Sequence, residues 1–328
     1  MRFALLVGFA LTVSIAHPAV AQTCLAPPPA IVNLDVERFY GDAAGSKVDA
    51  AKLARHDASV APLTAFLREV TQDADKALRR SSPKSRQDMA DCALAWMAAW
   101  ARDGALLGRM ASQQSEYQRK WDFGGLALAY VKLKPLARAE QRAAIEPWLK
   151  TLADRCRAFF DDPQRARNNH WYWLGLGLAA VGIGTDSARH WDMARGIMQD
   201  AARDIAQDGT LPKEVERQSR ALFYHAFALM PLVVAAELGA SRGEDWYAFG
   251  DGALHRLART THIGLVRPET FDRLVGAAQE RPVNPRAGWL QLYTARFPER
   301  LSLPHPIVAE GHRWIGGSAL TLKDALGR

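Results

Sequence analysis

Met89-Ala90-Asp91-Cys92-Ala93-Leu94-Ala95-Trp96-Met97-Ala98-Ala99-Trp100 brings back an apolar residue every third or fourth position, the period of one helix face. Trp121 to Leu136 and Trp191 to Ile205 keep the same period. Thr185-Asp186-Ser187 punctuates the start of the later helix, and Gly209, after Gln207-Asp208, its end. A further helix is expected from about Lys213 to Leu238, following Leu211-Pro212. Period-two runs of β-branched residues are missing, and neither an internal repeat nor a low-complexity linker divides the chain. The expected architecture is all-α, a single domain over 22–328 built from antiparallel helix pairs stacked side by side or curled into a toroid. Such a curved array leaves a concave groove long enough for a polymer.

The first residues read as an address. Met1-Arg2 is a positive start, Phe3 to Ala16 an apolar run, and Ala19-Val20-Ala21 a small-residue cleavage site, giving a signal peptide over 1–21. The apolar run is too short for a membrane span, and no later segment reaches about 18 uninterrupted apolar residues, so no membrane partner is expected. Export to a periplasm is expected first and full secretion second. In that compartment the three cysteines, Cys24, Cys92 and Cys156, read as one bridge and one buried thiol. Cys24–Cys92 is favoured, because an otherwise loose tail gains most from a tether, about 3–4 kcal/mol in the chain-entropy picture. No C-x-x-C or His-x-His cluster suggests a metal, and no cofactor is expected.

Formal charge is +7. Losing the signal segment removes only Arg2. Surplus cations lie beside aromatics, as in Arg119-Lys120-Trp121 and His312-Arg313-Trp314. Flat faces next to cations suit an acidic sugar chain. They would also suit nucleic acid, but no recognition helix or nucleic-acid motif appears and export argues against it; mild basicity as a solubility device stays open.

Two clusters carry chemistry. Asn168-Asn169-His170-Trp171-Tyr172-Trp173 sets two amides and an imidazole among three large aromatics. A core has little use for that mixture, since unpaired buried amides cost free energy; the plain alternative is an Asn-capped helix start with core aromatics. In Glu216-Arg217-Gln218-Ser219-Arg220-Ala221-Leu222-Phe223-Tyr224-His225, a continuous helix would put Arg217 and Tyr224 two turns apart on one face. A guanidinium binds a carboxylate bidentately, and a phenol exchanges a proton. The plain alternative is a solvated Arg and a core Tyr.

Together these clusters resemble the alginate lyases of polysaccharide lyase family 5. Asn168 to Trp173 fits their N-N-H-x-Y-W signature, and Arg217 and Tyr224 look like their R-x-x-x-x-x-x-Y pair. Asp91-Cys92-Ala93-Leu94-Ala95-Trp96, Arg119-Lys120-Trp121, Leu126-Ala127-Leu128-Ala129-Tyr130 and Trp289-Leu290-Gln291-Leu292-Tyr293 are similar to further family segments, so the likeness spans roughly 85 to 300. It implies an incomplete (α/α) toroid, no metal, a counterpart of the Cys24–Cys92 bridge, and β-elimination on a polyuronate; a monomer is expected. It assigns Asn169 and Arg217 to the uronate carboxylate, His170 or Tyr224 to the C5 proton, and Tyr224 to the C4 leaving oxygen. On mannuronate one residue, Tyr224, does both, whereas guluronate calls for His170 as base. An ordinary phenol has a pKa near 10, so Tyr224 as base needs cationic help from Arg217 and from His170 or Arg220.

Around that centre, Trp173, Lys120, Trp121, Arg220 and Arg313 are candidate substrate contacts, with Arg286 beside them. A lid loop is expected within 40–60. The stretch Phe39 to Lys47 departs from the family pattern there, leaving Tyr40 and Lys47 as its candidates. Asp91 reads as a surface or capping charge, and His56, His190 and His255 as ordinary histidines. The expected substrate is thus an anionic polysaccharide, mannuronate-rich alginate first, polyglucuronate or hyaluronan next. A glycosidase would need two carboxylates flanking the bond, and none is evident. A non-catalytic binding protein would not need the His and Tyr together.

Overall fold

The computed structural model describes residues 24–280, 288–301 and 311–327; the expected leader over 1–21 and Arg286 lie outside the described residues. Each apolar stretch has become a helix behind a short polar cap. Asp49 accepts from the Lys52 amide to start α1 (Ala50–Arg79), and Ser82, with Pro83 in the first turn, starts α2 (Pro83–Arg102). Ser112 caps α3 (Gln113–Leu133). Then come α4 (Ala139–Phe159), α5 (Asn169–Gly184) and α6 (Ala188–Asp204). The one-turn α7 (Pro212–Val215) precedes α8 (Ala221–Ser241), α9 (Phe249–Val266), α10 (Pro268–Val275), α11 (Gly288–Arg296) and α12 (Ala319–Ala325).

Two kinds of helix separate by their surfaces. α3, α5 and α8 are buried around nearly their whole circumference, whereas α2, α4 and α6 bury one stripe. The first kind forms the inner row, in which α1 packs on α3, α3 on α5, α5 on α8 and α8 on α11. The second kind covers it from outside: α2 on α1, α6 on α5, and α9 on α6 and α8. This is the expected α/α toroid. α8 is long and apolar enough to cross a membrane by composition, but 94% of its most apolar window is buried inside the protein, which makes it the core helix.

The continuous helix expected over 213–238 is broken. Gln218 has φ +52°, a left-handed conformation in which an α-helix cannot continue. Arg217 therefore sits on the connection between α7 and a single 3₁₀ turn, Gln218–Arg220, ahead of α8. The helix over 191–205 likewise ends at Asp204, and Gly209 (φ +80°) closes the following turn.

The C-terminal segment is locked on by one buried charge pair. Lys132 Nζ donates to Asp75 Oδ1 at 2.7 Å and to the Gly316 and Ser318 carbonyls at 2.6 and 3.0 Å, while Asp75 Oδ2 accepts from the Ser318 amide at 2.8 Å. Gly125 on α3 makes room for it, since a Cβ there would lie 2.3 Å from the Arg313 carbonyl. Arg313 and Trp314 are thereby pressed against the open end of α3.

Cys24 and Cys92 are bonded across 68 residues, and Cys156 is free and buried, its thiol pushed up to about 11 by burial. The tethered tail is also held by indole donors, Trp96 to the Leu25 carbonyl (2.7 Å) and Trp100 to that of Pro28 (2.9 Å). Cys24→Ser should lower unfolding free energy by about 4 kcal/mol, from the loop entropy returned to the unfolded chain. Urea melts of the variant and wild type measure this, and coincident midpoints would mean that the tail's other contacts suffice.

Candidate active site

The open end of the inner helices forms a cleft of about 610 Å³. Its walls carry His170 from the first turn of α5, Tyr117 and Trp121 from α3, Tyr224 from α8, and Arg217 and Arg220 from the connection before it. Tyr40 and Arg38 come from the loop ahead of α1, and Arg313 with Trp314 from the C-terminal segment. Among the described residues the lining holds four arginines and one carboxylate, Asp57. A long anion fits this field, and hydrolysis by a carboxylate pair does not. No group of three His, Cys, Asp or Glu among the described residues is placed to hold a metal ion.

His170 is aimed by its cap. Asn168 Oδ1 accepts from the His170 amide at 3.1 Å, which fixes the helix start and turns the imidazole into the cleft. Tyr117 stacks flat on that ring, with centroids 3.6 Å apart and planes 11° from parallel. Behind it lies Lys120 Nζ, 2.9 Å from Nδ1. Burial, then Lys120, then Arg217 hold the imidazole well below its ordinary pKa, so His170 is neutral at physiological pH.

Arg217 lies over the Tyr224 ring, its Cζ 4.6 Å from the centroid, although the two share no helix. Its Nη1 donates to the Ala44 carbonyl at 2.7 Å. The Tyr224 hydroxyl hydrogen-bonds that of Tyr40, and Arg220 Nη1 donates to Tyr40 at 2.7 Å. The loop bearing Tyr40 and Ala44 therefore occupies groups that a substrate would meet. Burial raises the Tyr224 phenol well above its ordinary value; the Tyr40 contact adds to this, and Arg217 and Arg220 oppose it without prevailing. The cationic help expected from the sequence is present, but desolvation outweighs it.

Asn169 lies differently from expectation. It is fully buried, and its backbone and side-chain N–H groups both donate to Glu214 Oε1 at 2.8 Å. Glu214 lies 3.6 Å from Arg217 Nε, and burial raises its carboxyl. Of the two asparagines, Asn168 is the one that lines the cleft. Trp173 is also buried, packed on Phe227 under the cleft rather than lining it. Lys47 is exposed and outside the lining; its amide donates to Asp42, which orders the loop. Lys120 stands behind the wall, whereas Trp121, Arg220, Tyr40 and Arg313 line it. Trp121 stacks on Trp314 at 4.7 Å, and Arg313 lies over Trp314 at 4.8 Å.

Tyr117, Arg38 and His56 are lining residues that sequence reading passed over or set aside. Tyr117 stands one helical turn before Trp121, so placing Trp121 on the groove face was enough to include it. His56, read as ordinary, donates from Nδ1 to the Glu37 carbonyl (3.0 Å) and meets Phe39 edge-on at the cleft rim. Nothing in its local sequence marks it. His190 and His255 do pack as ordinary histidines, against Ser187 and Tyr293, and Asp91 pairs with Arg138.

A sequence model of the alginate lyase family matches residues 34–271. A protein named polysaccharide lyase from Stenotrophomonas maltophilia is 41% identical over 87% of this chain and 85% of its own length. An alginate lyase from Pseudomonas fluorescens is 33% identical over 85% of this chain and 80% of its own. Among solved structures, alginate lyase A1-III from Sphingomonas species A1 superposes with a TM-score of 0.78 at 22% identity, covering 94% of this chain and 88% of that one. A variant of alginate lyase A1-III complexed with tetrasaccharide gives 0.81 over the same shares. The structural likeness is one of fold.

Proposed function

Since the chain belongs to the alginate lyase family and is a polysaccharide lyase, we propose that it cuts mannuronate-rich alginate within the polymer, using His170, Arg217 and Tyr224. The observation that carries this reading is their convergence on one arginine-rich cleft. Arg217 and the neutral His170 meet the carboxylate of the reacting uronate, and their hydrogen bonds strengthen as charge moves onto it, a contribution of a few kcal/mol each. Asn169 supports them through Glu214 instead of touching substrate. Tyr224, as phenolate, takes the C5 proton; the C5–H electrons form the C4=C5 double bond, the C4–O4 bond breaks, and Tyr224 returns that proton to O4. Tyr40 and Ala44 move off Tyr224 and Arg217 as the polymer enters, and Trp121, Trp314 and Arg313 hold its flanking sugars.

The same proposal includes a single domain over 22–328, acting as a monomer in the periplasm. The cleft is complete within one chain, and the disulfide suits an oxidising compartment.

Incubating the purified protein with polymannuronate, polyguluronate, polyglucuronate and hyaluronan tests the reading. Ultraviolet absorbance of the conjugated double bond should grow fastest on polymannuronate. Fastest growth on polyglucuronate or hyaluronan would move the specificity to that uronate, and binding without absorbance would make the protein a carrier of polyuronates.

pH gives a separate prediction. Burial keeps the Tyr224 phenol protonated at neutrality, so the phenolate able to take the C5 proton grows as pH rises. kcat/KM should climb about tenfold per pH unit from neutral into alkaline solution. No inflection should appear near 6.5, because the depressed His170 does not titrate there. A profile flat across neutral pH would assign the base to His170.

A further inference from the structure

Lys120 is the least expected group near the cleft. It is 1% exposed, and its Nζ lies among the rings of Trp121 (4.6 Å), Tyr117 (5.1 Å) and Phe160 (6.0 Å). No carboxylate pairs with it among the described residues; its one hydrogen-bond partner there is His170 Nδ1 at 2.9 Å. A lysine buried without a counter-ion costs several kcal/mol, and cation–π contacts of about 0.5–2 kcal/mol each offset only part of that. A surface helix position would avoid the cost altogether. The geometry therefore has to be read for what it does to the imidazole.

We propose that Lys120 is a positioning residue that donates to His170 Nδ1 and so fixes the imidazole as the neutral tautomer carrying its proton on Nε2. Burial holds Lys120 well below the usual lysine range, yet its nitrogen carries N–H donors in either protonation state; as an ammonium it has no lone pair at all, so beside it Nδ1 is bare and the proton sits on the other nitrogen. Tyr117, stacked at 3.6 Å, prevents the ring from turning over to exchange its nitrogens. Burial and the facing charges of Lys120 and Arg217 also oppose a second proton on His170. Cys156, also close to Lys120, is itself buried and kept as a thiol.

The consequence rests on the lyase reading above. His170 then offers the cleft an N–H donor and no lone pair. It binds the carboxylate and stabilises the enolate-like charge, which leaves Tyr224 to move both protons.

Nitrogen-15 NMR of histidine-labelled protein tests the tautomer directly, with the His170 signals found by their loss in His170→Gln. Wild type should show a bare Nδ1 and a protonated Nε2 at neutral pH. Lys120→Met keeps the unbranched shape but removes the donor. The tautomer preference should relax, and kcat should fall on the order of a hundredfold with KM changed less than about threefold, as for the loss of a group that orients a catalytic imidazole. Lys120→Gln, whose amide can donate, should recover both the Nε2–H signal and most of kcat. A wild-type proton on Nδ1 would overturn the proposal, as would Lys120→Met with undiminished kcat. If Lys120→Met does not fold, the wild-type spectrum alone decides. That spectrum is independent of turnover, so a correct tautomer in a protein that eliminates no uronate would sink the lyase reading and leave Lys120's role intact.

Discussion

Tyr224→Phe should reduce turnover by roughly three to five orders of magnitude while changing polymer binding less than about tenfold. The ring is buried against Phe223, Phe227 and the Arg217 guanidinium, and phenylalanine keeps all of those contacts. What is lost is the hydroxyl, with its hydrogen bond to Tyr40; net stability should move by about 1.5 kcal/mol or less. The hydroxyl is also the group assigned here to protonate O4, and with His170 held as a donor it is the group that takes the C5 proton. Arg217→Ala should differ in kind, raising KM as well as lowering kcat, because a guanidinium meets the carboxylate before and during reaction. Steady-state kinetics and a binding isotherm on each variant separate the two. Near-normal turnover in Tyr224→Phe would remove the phenol from the mechanism.

Asp75→Ala should cost about 3–5 kcal/mol, the penalty for stranding a buried cation. Lys132 is 1% exposed, and without Asp75 it keeps, among the described residues, two carbonyl partners, Gly316 and Ser318, on the very segment that Asp75 holds through the Ser318 amide. Thr321 loses its bond to Asp75 as well. The effect should reach the cleft, because this segment carries Arg313 and the Trp314 ring stacked on Trp121. The urea midpoint should fall, and KM for polymer should rise at temperatures where the variant is still folded. Replacing the pair together, Asp75→Leu with Lys132→Met, should recover much of the stability, since no charge is left unpaired. A single variant as stable as wild type would show that the pair does not lock the segment.

The helices were legible because their cause is local. An apolar residue every three or four positions, opened by Ser82, Ser112, Asn168 or Ser187, is a helix in almost any context. The sequence also separates the layers, since α5 and α8 are apolar on every side and α6 on one. The break before α8 was not legible. Gln218 adopts φ +52° with neither glycine nor proline to announce it, and its carbonyl is held by Gln279, 61 residues away. The site divides the same way. His170, Arg217 and Tyr224 stand in motifs, whereas the contact of Tyr40 with Tyr224 spans 184 residues. Lys120 read as a basic face beside Trp121. Nothing in a helical repeat tells which of Arg119 and Lys120 turns inward against an imidazole on α5, and here both are buried, Arg119 paired with Glu116 and Lys120 with His170.

Mass spectrometry of the fragments from a defined mannuronate oligomer is the most direct test of elimination in this cleft. Elimination adds nothing from solvent, so the masses of the two fragments should sum to that of the parent, with the new non-reducing end carrying the double bond. Fragments summing to the parent plus one water would mean hydrolysis and would contradict the account at its centre.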